Sequence, residues 1–152
     1  MGTLLDYLKV LGISLIPVLE LRAAVPWGIA HGLPLTWVFL VSVIGNMIPV
    51  PFIIYFIRPV FAWMKKKKWL KSIVDWLEAR AHNKHELIVK YEILGLLLLV
   101  AIPLPGTGAW TGALVASLFD LRLKNAVPVI FAGVVIAGLI TTAVTYGVAA
   151  LF

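Results

Sequence analysis

Glu20-Leu21-Arg22-Ala23-Ala24-Val25-Pro26 places an acid and a guanidinium inside a stretch that is otherwise uncharged and mostly apolar from Val10 to Val43. Charged side chains at membrane depth cost roughly 2.5–3.5 kcal/mol each on insertion scales, and they usually mark a pathway or a binding site. Pro17 and Pro26 flank the pair, and each proline weakens the helix around it. The stretch therefore predicts a polar site beside broken helix inside a membrane, an arrangement that transporters use.

The composition is that of a polytopic membrane protein with one domain, residues 1–152. Of the 152 residues, 62% are hydrophobic and 13% are charged, and the mean hydropathy is +1.03. A soluble domain has about 25% charged residues, so this chain lacks the polar groups that a water-exposed surface needs. The absence of cysteine excludes disulfide and thiolate chemistry.

Residues 1–34 leave two interpretations open. About 20 apolar residues are needed to cross a ~30 Å hydrocarbon core, and Pro17 interrupts the first run before that length is reached. One interpretation is a single long helix from Leu4 to Ala30, kinked at both prolines. The other is a re-entrant helical hairpin whose tip, near Glu20 to Pro26, lies at membrane depth.

Residues 35–64 and 125–152 are predicted to be transmembrane helices. Trp37 lies near one end of the first span, and Arg58 and Trp63 lie near the other, as residues of the interfacial belt do. Pro49 and Pro51 predict a kink in this span. The second span carries no charged residue.

Residues 65–92 are predicted to form an amphipathic helix in the headgroup region on the cytoplasmic side. Lys65–Lys68 begins this segment, and apolar residues recur after it at helical spacing. The net charge of +6 is concentrated beside apolar spans, which favours membrane lipids as partners and not nucleic acid.

Residues 93–121 are predicted to form a second re-entrant hairpin. Ile93–Ile102 is wholly apolar, but its length gives only about 15 Å of helix, half the thickness of the core. Pro103–Gly108 then forms a turn that no straight helix tolerates. Ala109–Phe119 is the returning arm.

The distribution of basic residues favours two re-entrant hairpins over two full crossings. If only the two spans cross, eleven of the thirteen Lys and Arg residues lie on one face, which is predicted to be cytoplasmic. The fold class is then an all-α integral membrane protein built as an inverted repeat of hairpin plus transmembrane helix. Such repeats place a binding site near the membrane midplane, where the tips meet.

The two tips predict complementary chemistry. Thr107 is a plausible N-cap for the returning arm, which would leave the amides of Gly106, Thr107 and Gly108 facing the first hairpin and favouring an anion. Arg22 would complete this anion site, or it would pair with an acid and only hold the hairpins together.

Glu20 and Arg22 are two residues apart, so they face different sides of a helix and each needs another partner. Burial penalises a charged carboxylate, which makes Glu20 a candidate proton carrier. The alternative is that Glu20 accepts hydrogen bonds from the opposite tip.

The candidate site residues come from both motifs. The candidate substrate-binding residues are Glu20, Arg22, Pro26, Pro103, Pro105, Gly106, Thr107 and Gly108. The candidate polar supports are Asn46, Trp110 and Thr111. His82, His85 and Glu86 are too few for a metal site, and no enzyme motif occurs, so neither a cofactor nor a catalytic activity is expected.

At these two motifs the sequence resembles the family called small multi-drug export proteins. The residues that carry the resemblance are Glu20–Pro26 and Pro103-Leu104-Pro105-Gly106-Thr107-Gly108-Ala109-Trp110-Thr111-Gly112. The resemblance implies a mid-membrane site at Glu20, Arg22 and the second tip. That family is distantly similar to the DedA superfamily, whose members are thought to have two re-entrant hairpins and to move lipids, including the polyprenyl phosphate carrier.

The expected function is that of a homodimeric transporter in the cell membrane. In the first alternative it translocates an anionic amphipathic substrate, a lipid or polyprenyl phosphate held by Arg22, with proton coupling through Glu20. In the second it is a proton-driven exporter of small amphipathic drugs, with Glu20 as the substrate partner and Arg22 structural. In the third it is a membrane scaffold that transports nothing.

Overall fold

The computed structural model describes residues 2–68, 71–72, 75 and 85–151, and within them the regular secondary structure is entirely helical. The main helices are α1 (Leu4–Leu15), α2 (Glu20–Ala30), α3 (Leu35–Met47), α4 (Pro49–Lys65), α5 (His85–Ala101), α6 (Ala109–Leu118) and α7 (Leu123–Ala149). Two helical stretches are long and apolar enough to cross a membrane, Leu35–Val60 with 26 residues and Leu123–Ala149 with 27. The prediction of an all-helical chain with two such stretches is confirmed.

The N-terminal segment consists of two separate helices that pack against each other. α1 ends at Leu15, and Ile16 is extended (φ −74°, ψ 127°) because the residue before a proline avoids helical geometry. The interpretation as one long kinked helix is therefore wrong. The turn lies at residues 16–19 instead of between Glu20 and Pro26.

Pro26 does not break the chain, and α2 continues through it. A proline at this position removes one helical N–H, the one that would bond the carbonyl of Arg22, and the packing of the surrounding helices tolerates this loss. Pro49 acts as expected: α3 and α4 are separated at Ile48, directly before it.

α5 is longer than the sequence suggests. The predicted boundary between residues 92 and 93 lies inside it, because His85–Ala101 forms 17 residues of helix, about 25 Å, where an arm of ten was expected. The segment from His85 to Glu92 has no proline or glycine and contains good helix formers, so nothing ends the helix there. Residues 69–70, 73–74 and 76–84 of the predicted amphipathic helix lie outside the described residues.

The packing divides into two halves that meet at α7. α1 and α2 pack against α3, and α5 packs against α7. The halves are joined where α2 and α3 contact α7 and where α4 contacts α6. This arrangement brings the start of α2 close to the irregular segment between α5 and α6.

Small residues permit the closest helix contacts, as is typical of membrane helices. A Cβ built on Gly28 would lie 2.6 Å from a Val38 methyl group, and one on Gly112 would lie 2.5 Å from a Val100 methyl group. Gly133 on α7 faces the same Val100, at 2.7 Å from its Cβ. Val100 is therefore held between α6 and α7.

The α5–α7 contact predicts that Gly133→Ala destabilises the protein. The added methyl group would overlap Val100 and approach the Leu97 carbonyl at 3.2 Å, and overpacking of this kind lowers the free energy of unfolding by about 1–3 kcal/mol. Gly147→Ala is the matched control on the same helix, since a Cβ there has nothing within 4 Å. Unfolding in detergent micelles measures both; equal effects of the two variants would contradict the packing described.

Candidate functional site

The Glu20 carboxyl group is buried at the start of α6. Only 3% of the residue is exposed, and its Oε1 accepts the Trp110 N–H at 3.2 Å. Ala109 and Asn46 line the same small gap as this carboxyl group. α6 begins at Ala109 without a side-chain cap of its own, so Glu20 of α2 caps the positive end of another helix.

The Arg22 guanidinium lies at the C-terminal end of α5, whereas Glu20 lies at the N-terminal end of α6. Its Nη1 donates to the Leu104 carbonyl, and its Nη2 donates to Thr107 Oγ1 at 3.0 Å and to the Ile102 carbonyl at 3.4 Å. These carbonyls follow directly after the last residue of α5, where a cation complements the negative end of the helix dipole. The guanidinium thus adds further donors to carbonyl groups of the turn, each of which also accepts one backbone N–H.

We call this arrangement the clasp. It comprises Glu20, Arg22, Ile102, Leu104, Thr107 and Trp110. Its acid and its base lie two residues apart along α2, and each contacts a different end of the broken helix. As their spacing predicted, the two do not form an ion pair with each other, whereas Asp6–Lys9 and Arg58–Asp120 do.

The prediction that Thr107 caps α6 is wrong. The N-cap is Gly108, and the Thr107 hydroxyl lies 2.9 Å from the carbonyls of both Ile102 and Leu104. The Thr107 N–H is also engaged, since it donates to the Leu104 carbonyl at 3.2 Å. Of the three amides expected to face an incoming anion, that of Thr107 is engaged within the turn, and the start of α6 is bonded by the protein's own Glu20.

Two glycines shape the turn between α5 and α6. Gly106 (φ 82°) and Gly108 (φ 141°) have backbone angles that L-residues rarely adopt, and the Gly106 carbonyl accepts the Thr111 hydroxyl at 2.7 Å. A Cβ on Gly108 would run into the Glu20 carboxyl group. Glycine at this position therefore permits Glu20 to approach the amides.

The three prolines predicted at the site lie in two different places. Pro103 is half-buried and Pro105 is exposed, and both lie in the turn. Pro26 is half-buried in the interior of α2.

A narrow gap lies beside the clasp, and it has no room for a water-sized molecule. Its polar lining comes from Glu20, Arg22 and Asn46, and its apolar lining includes Val100 of α5 and Val134 of α7. Sites for drug-sized ligands are typically about 300–1,000 Å³. The clasp is therefore closed in this conformation.

Buried polar side chains on α3 extend the polar region away from Glu20. Asn46 is 1% exposed and Ser42 is 0% exposed, and neither Asn46 Oδ1 nor Ser42 Oγ has a hydrogen-bond partner among the described residues. A buried polar atom without a hydrogen-bond partner lowers the free energy of unfolding by about 1–3 kcal/mol, so its presence calls for a functional or structural reason. Asn46 is among the residues predicted from the sequence and Ser42 is not, although their spacing of four places both on one helix face.

The backbone at the tip of the first hairpin is strained. Val18 (φ 76°) and Glu20 (φ 47°) both have left-handed backbone angles, which are unusual for residues other than glycine and most unusual for a β-branched residue. Conformations of this kind cost about 1–3 kcal/mol each and persist only where surrounding contacts enforce them. The hydrogen bonds of the Glu20 carboxyl group are such contacts.

The all-helical fold of the described residues, its two apolar helices of membrane-spanning length and the buried charged clasp are typical of a helical membrane protein. Residues 20–140 match the family described as "Putative small multi-drug export protein". This match covers most of the chain and includes the clasp, and the chain belongs to this family. No curated protein and no solved structure matches it.

The contact of Gly108 with Glu20 predicts unequal effects of two glycine substitutions in one turn. Gly106→Ala and Gly108→Ala both force an L-residue into an unfavourable backbone angle, but only at Gly108 does the new methyl group displace the Glu20 carboxyl group. Gly108→Ala should lower the free energy of unfolding by at least about 1 kcal/mol more than Gly106→Ala.

The comparison is repeated in a Glu20→Ala background, where the extra cost of Gly108→Ala should shrink to the part that comes from its backbone angles (φ 141°, ψ −162°). An extra cost that is the same with and without the Glu20 side chain would contradict the close contact between Gly108 and the carboxyl group.

Proposed function

We propose that this membrane protein exports small amphipathic molecules and that the Glu20 carboxylate binds a proton and a cationic substrate in turn. The observation that carries the proposal is a carboxylate that is 3% exposed and hydrogen-bonded to a backbone amide. An acid at membrane depth is by default a candidate functional group, because burying it is expensive. The family description supports the export class.

The partners of Glu20 favour a cation or a proton as its ligand. The start of a helix supplies the equivalent of about half a positive charge, so the carboxylate is only partly compensated. Arg22 does not neutralise it directly, because its donors are directed at Leu104, Ile102 and Thr107. A proton or an organic cation would complete the compensation.

The same geometry argues against an anionic headgroup as the ligand in this conformation. A lipid phosphate at the start of α6 would meet the Glu20 carboxylate where free amides had been expected. It would also have to draw Arg22 away from the carbonyls at the end of α5. Translocation of lipid or polyprenyl phosphate, the activity implied by the likeness to the DedA superfamily, is therefore the less favoured alternative.

The proposal includes a re-entrant arrangement of the two halves within one membrane domain. It is supported by the packing of each hairpin against its own span, α1 and α2 on α3 and α5 on α7. The clasp joins the two turns, and the halves would form an inverted repeat with the basic segments on the cytoplasmic side. Expulsion of substrate would then require α2 to separate from the turn between α5 and α6.

A homodimer is part of the proposal because the second turn is not fully covered. Leu104, Pro105 and Gly106 are exposed, and irregular backbone at membrane depth must be buried in protein or line a wet cavity. A second copy of the chain would provide the cover.

The role of Glu20 predicts that Glu20→Gln abolishes export. Glutamine keeps an oxygen that accepts the Trp110 N–H, so the fold should persist, but it binds neither a proton nor a cation as a carboxylate does. In proteoliposomes with an imposed pH gradient, the transport rate of a cationic dye such as ethidium should fall roughly tenfold or more, which corresponds to about 1.4 kcal/mol of lost interaction.

Asp75→Asn is the matched control, an acid-to-amide change at an exposed position, and it should retain the wild-type rate. Dye transport by Glu20→Gln at the wild-type rate would refute the proposed role. If the wild type moves a fluorescent phosphate-headgroup lipid and no dye, the lipid alternative is correct. If it moves neither, the chain is a scaffold.

A further inference from the structure

Two basic segments that are far apart in sequence lie at the same end of the molecule. On α4, Arg58 Nη2 donates to the Leu121 carbonyl, and Arg58 Nε lies 3.8 Å from the Asp120 carboxylate. Leu121 and Asp120 belong to the turn that precedes α7. The distal part of α4 and the beginning of α7 are thus in contact.

Basic side chains extend from both sides of this contact. α4 continues from Arg58 to its end at Lys65, about 10 Å further along the axis, and Lys66, Lys67 and Lys68 follow as exposed residues. Arg122 and Lys124 are also exposed, directly after Leu121. We call these five residues the basic end: Lys66, Lys67, Lys68, Arg122 and Lys124.

The basic end coincides with the ends of both membrane-length helices. The apolar stretch Leu35–Val60 finishes just before it, and Leu123–Ala149 begins within it. Phospholipid headgroups lie at this level of a membrane, immediately beyond the hydrocarbon core. Charged groups in this position are within reach of phosphates.

Trp63 marks the same level. It is 60% exposed, and Lys67 Nζ lies 4.9 Å from the centre of its ring. Tryptophan is enriched at the membrane interface, where its apolar ring contacts lipid and its N–H can hydrogen-bond to headgroups or water. The pair combines an interfacial anchor with a cation.

We infer that the basic end is a binding surface for anionic phospholipid headgroups. Lipid fits better than nucleic acid because the surface continues into exposed apolar side chains of α4, including Tyr55 (72% exposed) and Phe56 (64% exposed). Acyl chains would cover these residues while the phosphates contact the lysines and arginine. A nucleic acid would leave the apolar side chains uncovered.

The test uses the full chain reconstituted into vesicles that contain spin-labelled phosphatidylglycerol or phosphatidylcholine. Electron paramagnetic resonance measures the fraction of each lipid immobilised at the protein surface. The wild type should select phosphatidylglycerol over phosphatidylcholine by about threefold or more. Salt at about 0.5 M should reduce this selectivity, because it screens the attraction between basic side chains and phosphates.

Variants separate the contributions of the two segments. Replacing Lys66, Lys67 and Lys68 together by Gln should bring the selectivity close to one, whereas replacing all three by Arg should preserve it. Arg122→Gln combined with Lys124→Gln should lower it as well, because the structure places both segments on one surface. Lys9→Gln, a change at a half-exposed lysine of α1, should have no effect.

Three results would overturn the inference. The first is equal immobilisation of the two lipids by the wild type. The second is selectivity that survives the triple Gln substitution or is indifferent to the change at Arg122 and Lys124. The third is binding of a nucleic acid duplex by the purified protein with no selectivity for phosphatidylglycerol. None of these readouts depends on transport.

Discussion

The structure depends on one constraint: a helix that breaks among buried apolar residues leaves N–H and carbonyl groups that need hydrogen-bond partners. The break between α5 and α6 presents groups of both kinds, and a single turn of α2 hydrogen-bonds to both. Glu20 accepts the Trp110 N–H at the positive helix end, and Arg22 donates to the Leu104 carbonyl at the negative one. The two charges that appear most costly in the sequence are therefore the groups that make the broken helix tolerable.

This double role connects stability to the proposed transport. While the clasp is closed, the gap beside it has no room for a drug-sized molecule. A ligand that competes for Glu20 would weaken the cap on α6 and, with it, the contacts that hold Val18 and Glu20 at left-handed backbone angles. Ligand binding and opening of the clasp would then involve the same hydrogen bonds of Glu20. A ligand that binds the open state more tightly than the closed state would therefore favour opening.

Local chemistry was sufficient to predict the breaks and the spans. Pro17 ends α1 and the Pro103–Gly108 turn separates α5 from α6, because proline and glycine act through their own backbone restrictions. The separation of Glu20 from Arg22 followed from helical spacing alone. The two long apolar stretches followed from hydropathy.

The remaining features depend on contacts that a single sequence does not reveal. Thr107 and Glu20 are both chemically able to cap α6, and only the tertiary packing places the more distant residue there. Pro26 is tolerated because the neighbouring helices hold α2 together, and α5 starts early because no residue signal ends it. Ser42 was missed since a serine in an apolar helix usually bonds its own backbone.

The most direct test of the clasp is a double-mutant cycle between Arg22 and Thr107, measured as the free energy of unfolding in mixed micelles. Arg22→Met and Thr107→Val each remove one side of the 3.0 Å hydrogen bond while largely keeping side-chain volume. If α2 holds the turn as described, the double variant should deviate from additivity by about 1 kcal/mol or more. Additivity within about 0.3 kcal/mol would mean that Arg22 and Thr107 act independently, and the account of a clasped helix break would be wrong.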